Sequence, residues 1–381
     1  MAFPTGWNQS AELVIQASQV SSALTDFPLL LTADTLPSEM FDADGSNPAQ
    51  NGGGDIRFSS DAAGSTQLAC EVVSFVTDNN PANGTAQIWV KVPSVSASGD
   101  TSVYVWWDTS GTDSQPSVTD TYGRNAVWAN YERVYHLEES VSTATGHYVD
   151  SSGNQDGTLN NSTNISTTTG PAGLGTAFAS SNKDDVEYGI STNYFPSSST
   201  GTLQFFINLT DVVEATGFGS TQGADDRSNR RFYVGVEQDG NFFAGLGTGF
   251  CGLGTLDVAC GYSDGTWHHI AMAADSGTAR IYSDGSQVNT FSYTFSGTST
   301  LDFTIGYRNR EPHATALDGA TDEYRVSNEV ISAAQLDAEY TNQTTPSLFV
   351  APVEPVAPTL SSPSVNVTSS TTATVSCTVT Y

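Results

Sequence analysis

Four oxygen-bearing side chains at alternate positions mark the first place where this chain could do chemistry. Asp150, Ser152, Asn154 and Asp156 lie in the loop DSSGNQD, the kind of spacing that loops for hard cations use. Calcium suits such oxygens, although Gln155 takes the position an EF-hand gives to glycine and no glutamate closes the loop. A plain Asx-turn, with Asp150 accepting from nearby backbone, is the alternative. Asp42 and Asp44 make a weaker pair, because prolines and glycines follow them.

Glycoside hydrolysis would be a second chemistry, and its retaining form needs two carboxyl groups about 5–5.5 Å apart. On a strand that means acidic residues at alternate positions. Glu237 and Asp239 have the spacing, but Gly240-Asn241 turns the chain at once and no third carboxylate follows. Asp322 and Glu323 are adjacent, so a regular strand would point them to opposite faces; His268 and His269 cannot chelate jointly for the same reason. No Gly-x-Ser-x-Gly elbow, phosphate loop or metalloprotease helix is present. The expectation is a protein that is not an enzyme and has no catalytic residues.

Sugar contact is the third possibility. Tyr194, Phe195, Phe242, Phe243, Phe250 and Tyr307 lie near turn sequences, where an aromatic face can stack on a pyranose ring. Arg227, Arg230 and Arg231 cluster in ADDRSNRR and either pair locally with Asp225 and Asp226 or meet an anionic partner. Cys251 and Cys260 bracket the glycine-containing loop CGLGTLDVAC. A disulfide between them is expected, with two free thiols as the alternative. Cys70 and Cys377 read as buried small hydrophobes, and no cysteine–histidine spacing suggests zinc.

The elements that must hold these residues are strands. Period-2 alternation recurs and helical periodicity is nearly absent. Ile88, Val90 and Val92 share one face of a strand with Lys91 on the other; Val103–Trp107 alternates around bulky aromatics. Short strands separated by Gly, Pro, Asn and Asp imply antiparallel sandwiches. Residues 1–120 are assigned to an N-terminal β-sandwich, 121–348 to a second and longer one. Asp284-Gly285 reads as a hairpin turn, and Ser332–Tyr340 as a short helix with Leu336 and Tyr340 on one face. Residues 349–363, with prolines at 352, 355, 358 and 363, read as an extended linker. Residues 364–381 read as the start of a third module, whose Val365–Val367 and Ala373–Tyr381 can form a hairpin.

Two resemblances sharpen the fold. DIRFSSDAAGSTQLACEVVSF, then AQIWVKVPSVSASGDTSVYVWWDTSG, resembles an uncharacterised β-rich domain of bacterial surface proteins and phage structural proteins. This likeness covers about residues 25–115 and carries no activity; Trp106-Trp107-Asp108 stands where that family has a tyrosine–glycine–asparagine turn. Trp89 and Trp107 are expected in its core. Trp267–Ala271, Ala279–Gly285, Thr304–Gly306, Leu317–Val326 and Ile331–Ala334 with Tyr340, preceded by Val134–Leu137 and Asp150–Asn154, resemble in order the strands of laminin-G-like domains. These belong to the concanavalin A-like lectin/glucanase superfamily, and the likeness spans most of residues 127–343. It implies a concanavalin A-like jelly roll and makes Asp150 and Asp322 candidates for a calcium site. The last module resembles the first strands of immunoglobulin-like or fibronectin-like domains. The fold class is therefore all-β, in tandem antiparallel β-sandwiches.

Charge narrows the partners. Among 381 residues, 12 basic against 41 acidic give a formal charge of −29, a field that repels nucleic acid and anionic membrane. No apolar run approaches the roughly 20 residues of a spanning helix. Lys91 and Lys183 are the only lysines. The first residues, MAFPTGWNQSAELVI, show neither a basic region nor an apolar one, so the expectation is assembly without secretion. Together these features suggest an exposed virion protein of a tailed bacteriophage, on head or tail. Its partners would be other virion subunits, with homo-oligomerisation, and host-surface glycans, touched with the help of calcium. A bacterial cell-surface adhesin, or the carbohydrate-binding module of a glycan-active enzyme, is the alternative.

Overall fold

The computed structural model describes residues 3–107, 112–179, 190–191, 200–209, 221–225, 231–236, 242–246, 249–251, 265–294, 304–310, 315–351, 359–369 and 372–380. Nearly all of its regular structure is antiparallel β, and the fold is that of tandem β-sandwiches.

The N-terminal sandwich packs a five-stranded sheet against a three-stranded one. The first runs in the order Val350–Ala351, Gln9–Ile15, Thr101–Trp107, Arg57–Ser59, Gln67–Leu68; the second runs Leu24–Thr32, Thr85–Val95, Cys70–Val76. Val103, Val105 and Trp107 are buried while Ser102, Tyr104 and Trp106 between them are half-buried, as a pleated strand with one face on a core requires. In Leu24–Thr32 the alternation is lost: Phe27 to Leu31 are all buried. Leu29 and Leu31 enter the core of their own sandwich, whereas Leu30 and Trp89 face the second sandwich. A strand covered on both sides has no polar face to show. Trp107 is thus a core residue as expected, but Trp89 lies in the seam.

The chain returns to this sandwich near its other end. Phe349 stacks on Phe27 at 5.3 Å, and Val350–Ala351 pairs with Val14 and Ile15. The first three residues assigned to the linker therefore close the N-terminal sheet. Residues 352–358 lie outside the described ones.

The second sandwich is built on an eight-stranded sheet in the order Ile165–Thr169, Leu174–Ala179, Asp318–Ser327, Gly201–Asn208, Trp267–Asp275, Thr278–Ser283, Ser286–Ser292, with Tyr131–Tyr135 also paired to Asp318–Ser327. A six-stranded sheet contains Gly249–Cys251, Phe242–Leu246, Arg231–Val236, Thr221–Asp225, Tyr307–Arg310 and Thr315–Ala316. Phe205, Ile207, Ile270, Met272, Ile281 and Tyr324 form the inner core. Asp284 and Gly285 both have positive φ, 47° and 76°, the geometry of a type I′ hairpin turn. Helix Ala333–Thr344 begins at Ser332, whose hydroxyl accepts from Gln335 N–H at 3.2 Å.

The last described strands, Thr359–Ser369 and Thr372–Thr380, form a two-stranded sheet with Val365 opposite Val375 and Val367 opposite Ala373. Among the described residues this hairpin does not join the sandwich of residues 127–343.

Candidate functional site

The densest polar constellation is buried in the seam between the sandwiches, and a backbone irregularity creates it. Strand Asp318–Ser327 loses register against Gly201–Asn208 between Gln204 and Phe206, and Glu323 adopts φ 50°. An extra residue in one strand re-aims its neighbours. Tyr324 then stacks on Phe205 in the core at 5.4 Å, while Glu323 and Arg325 both reach the seam. Arg325 donates from Nη2 to Glu323 Oε2 (2.6 Å) and from Nη1 to Glu339 Oε2 (3.3 Å). Its guanidinium carbon lies 4.3 Å from the ring centre of Trp89 and 4.9 Å from that of Trp128. A cation within about 5 Å of two indole rings is attracted by both.

His136 completes the link. Its Nδ1 is 2.8 Å from Glu323 Oε1 and its Nε2 is 3.1 Å from Glu71 Oε2, with all three residues buried. Glu71 also accepts from Trp128 Nε1 at 2.5 Å and from Ser151 Oγ at 2.7 Å. Burial alone would drive the imidazole to its neutral form, but Glu323 and Glu71 outweigh it and push the pKa up to about 10. His136 is therefore an imidazolium donating both N–H groups. Burial acts to raise Glu323, yet His136 and then Arg325 hold it below the usual carboxylate range. Asp322 goes the other way: burial, then the charge of Glu323, pushes it well above the usual carboxylate range. Glu71 belongs to the three-stranded sheet of the first sandwich and His136 follows a strand of the second, so the carboxylates are committed to holding the two together.

Beside this clamp opens a cavity of about 370 Å³, lined by Val72, Val73, Val118, Val149, Arg124 and Glu138, with Glu71 and His136 also in its wall. Burial lifts Glu138 to about 7 despite the Leu174 N–H donated to it at 2.7 Å.

The oxygen-rich loop forms an Asx-turn network. Asp150 Oδ1 accepts from Val134 N–H (2.9 Å), Ser152 N–H (3.0 Å) and Ser152 Oγ (2.6 Å), and Oδ2 accepts from Gln155 N–H (2.9 Å). Asp156 Oδ1 accepts the Asp150 amide at 2.9 Å, and Asn154 Nδ2 donates to Glu132 O at 3.0 Å. Asp322 is engaged elsewhere, with the amides of Glu323 (2.7 Å) and Ala172 (3.4 Å). Both carboxylate oxygens of Asp150 are thus committed to local donors. Among the described residues no cluster of three or more His, Cys, Asp or Glu could hold a metal ion.

The candidate aromatics divide. Phe242 and Phe243 open strand Phe242–Leu246 and Tyr307 opens Tyr307–Arg310, in the same six-stranded sheet with two strands between them. Tyr194, Phe195, Glu237, Asp239, Arg227 and Arg230 lie outside the described residues, as does Cys260, the expected partner of Cys251. Cys70 is buried and unpaired, and burial pushes its thiol up to about 12, which leaves it inert. His268 pairs with Asp284 Oδ2 at 2.8 Å, whereas buried His269 accompanies Gln204; the two do not converge. Sequence reading missed Glu71, Trp128, His136, Arg325 and Glu339. Their signal was weak: Glu71 and Arg325 are charged residues inside strands, Glu339 lies on a helix, and Trp128 and His136 stand just outside regular elements.

Comparison with known proteins agrees with this architecture. Residues 180–337 match the family model of the concanavalin A-like lectin/glucanases superfamily, and residues 52–145 match a domain of unknown function, DUF2341. The chain thus carries a lectin-like domain preceded by that uncharacterised one. The second match takes in both Glu71 and His136 and so runs across the seam. No curated protein matches the chain. Among solved structures it is similar to the binding domain of Paraclostridial Mosquitocidal Protein 1 (11% identity, TM-score 0.42, 56% of this chain and 52% of that one). It thus spans about half the length of that chain. It is also similar to domain 4 of AbnA, an extracellular arabinanase from Geobacillus stearothermophilus solved with arabinotriose (20%, 0.37, 55% and 97%). A third is the CBM40 of Ruminococcus gnavus IT-sialidase, bound to α2,3-sialyllactose (14%, 0.31, 40% and 92%). No helix among the described residues is long and apolar enough to cross a membrane.

Proposed function

We propose that this chain is a non-enzymatic structural and adhesion protein on the outside of a tailed bacteriophage particle, as a head decoration, tail fibre or appendage. Its lectin-like domain touches host-surface glycans and packs beside neighbouring copies. The main support is the way the second sandwich is covered. Ala271, Ala273 and Tyr282 on one face of the eight-stranded sheet are buried with Leu30, Trp89 and Leu336, so the chain itself occupies that face. A ligand is left the six-stranded sheet, which carries Phe242, Phe243 and Tyr307. The acidic composition favours neutral sugars over anionic ones, and many copies on one particle would compensate for weak single contacts.

The location is tested by labelling gradient-purified phage particles with antiserum to the chain. Label on the particles is expected; label confined to the bacterial envelope would favour the adhesin alternative. Glycan contact is tested on an array with the full chain and its Tyr307→Ala and Phe243→Ala variants. Binding weakened by both substitutions is expected, and binding that neither affects would remove the six-stranded sheet from the reading.

A further inference from the structure

The solvent face of the N-terminal sandwich carries a second set of aromatic groups, unrelated to those of the lectin-like domain. In strand Thr101–Trp107 the residues between the core positions are Ser102, Tyr104 and Trp106, all half-buried. Antiparallel pairing sets exposed Glu12 opposite Tyr104 and exposed Ser10 opposite Trp106. Ser102 Oγ and Tyr104 Oη both donate to Glu12 Oε1, at 2.5 and 3.2 Å. Oε2 of the same exposed carboxylate takes no donor among the described residues. Trp106 is fixed from behind by its Nε1–H bond to Ser59 Oγ at 2.7 Å. From the side, Phe3 meets it edge-on with centroids 5.7 Å apart, and Trp7 meets Phe3 at 5.5 Å.

The result is a shelf. Its floor is Tyr104 beside Trp106, its wall is the aromatic segment at Phe3 and Trp7, and its polar rim is Glu12 with Ser10 and Ser102. Hydrogen bonds hold Tyr104, Ser102, Glu12 and Trp106 in place, so little of their side-chain entropy is left to lose on binding. A pyranose ring presents what this arrangement lacks: C–H groups for an aromatic face and hydroxyls for a free carboxylate oxygen. Polar protein surface would not need paired rings, and an acidic ligand would be repelled by Glu12, by nearby Asp61 and by the chain as a whole.

We propose that the outer face of the N-terminal sandwich, at Tyr104, Trp106 and Glu12, is a binding site for neutral pyranosides, separate from any site on the lectin-like domain. The test is isothermal titration of the full chain with cellotetraose, xylotetraose, mannotetraose and chitotriose, with sialyllactose and trigalacturonate as anionic controls. Saturable binding of at least one neutral sugar is expected, with the anionic ones much weaker. Tyr104→Ala should weaken it about tenfold, the loss of one aromatic contact. Tyr104→Phe keeps the ring and should weaken it only a few-fold, which separates loss of stacking from misfolding. Val330 is exposed and lies outside both candidate sites, so Val330→Ala should leave the signal unchanged. No saturable neutral binding, or binding indifferent to Tyr104→Ala, overturns the proposal. A signal that follows Tyr307 instead also overturns it, while leaving the lectin-domain reading intact.

Discussion

His136 Nε2 stands 3.1 Å from Glu71 Oε2, across the boundary between the two sandwiches, and both side chains are buried. With Glu323 on its other nitrogen, the imidazolium is a bridge between two carboxylates that would otherwise repel each other. Buried ion pairs of this kind add little net stability over an apolar replacement, but removing one partner leaves an uncompensated charge. They fix geometry more than they supply energy.

The first prediction follows from that asymmetry. His136→Ala should destabilise the folded chain by about 3–5 kcal/mol, because it leaves Glu71 and Glu323 buried without their shared cation. Urea unfolding followed by far-UV circular dichroism measures it. A loss below about 1 kcal/mol, the range of a surface pair, would mean that the clamp is solvated.

A second concerns pH. The folded pKa of His136, pushed up to about 10, lies above its ordinary value of 6.5. The folded state therefore binds more protons, and the stabilisation is complete below 6.5 and lost as pH rises through 10. Glu138, lifted by burial to about 7, favours the folded state while protonated and adds a decline between its ordinary range and 7. Melting temperature should thus fall between pH 7 and 10, and His136→Gln should flatten that slope. A wild-type profile that is flat there contradicts the imidazolium assignment.

A third tests the stacked cation. Arg325→Lys keeps the charge but loses the planar group against Trp89 and Trp128 and the fork toward Glu323. It should cost roughly 2 kcal/mol and shift tryptophan emission to the red. Unchanged emission would show that the indoles do not sense the guanidinium.

A fourth concerns the loop at Asp150. Asp150→Ala removes an acceptor of four hydrogen bonds and should cost about 1–3 kcal/mol. Chelator and added calcium should each leave the melting temperature of the wild type unchanged. A rise of several degrees with calcium would restore the cation-loop reading.

Much of the fold was legible because it rests on local rules. Val103, Val105 and Trp107 alternate with polar or half-exposed neighbours; Asp284-Gly285 supplies two positive φ angles; Ser332 caps a helix; Val365 meets Val375. The seam was not legible, since no short-range pattern pairs His136 with Glu323, 187 positions away, or with Glu71, 65 away. Asp322 and Glu323 obeyed strand alternation in the sequence but sit at a bulge in the fold, so the expected opposition of their side chains gave way to one acid in the clamp and one beside Ala172. The return of Phe349–Ala351 to the first sheet was hidden by the prolines that follow, which drew the linker three residues too far upstream. Ser152 and Asn154 offered oxygens at the right spacing; only the backbone shows that Asp150 is saturated by N–H and hydroxyl donors.

The clamp makes the two sandwiches one body, and differential scanning calorimetry tests this most directly. For residues 1–351 within the full chain, a single cooperative transition is expected, with calorimetric and van't Hoff enthalpies in agreement. The double variant Glu71→Gln, His136→Ala should split that transition in two as each sandwich melts on its own. Two well-separated transitions in the wild-type protein would contradict the account, because the seam would then be a contact between independent domains.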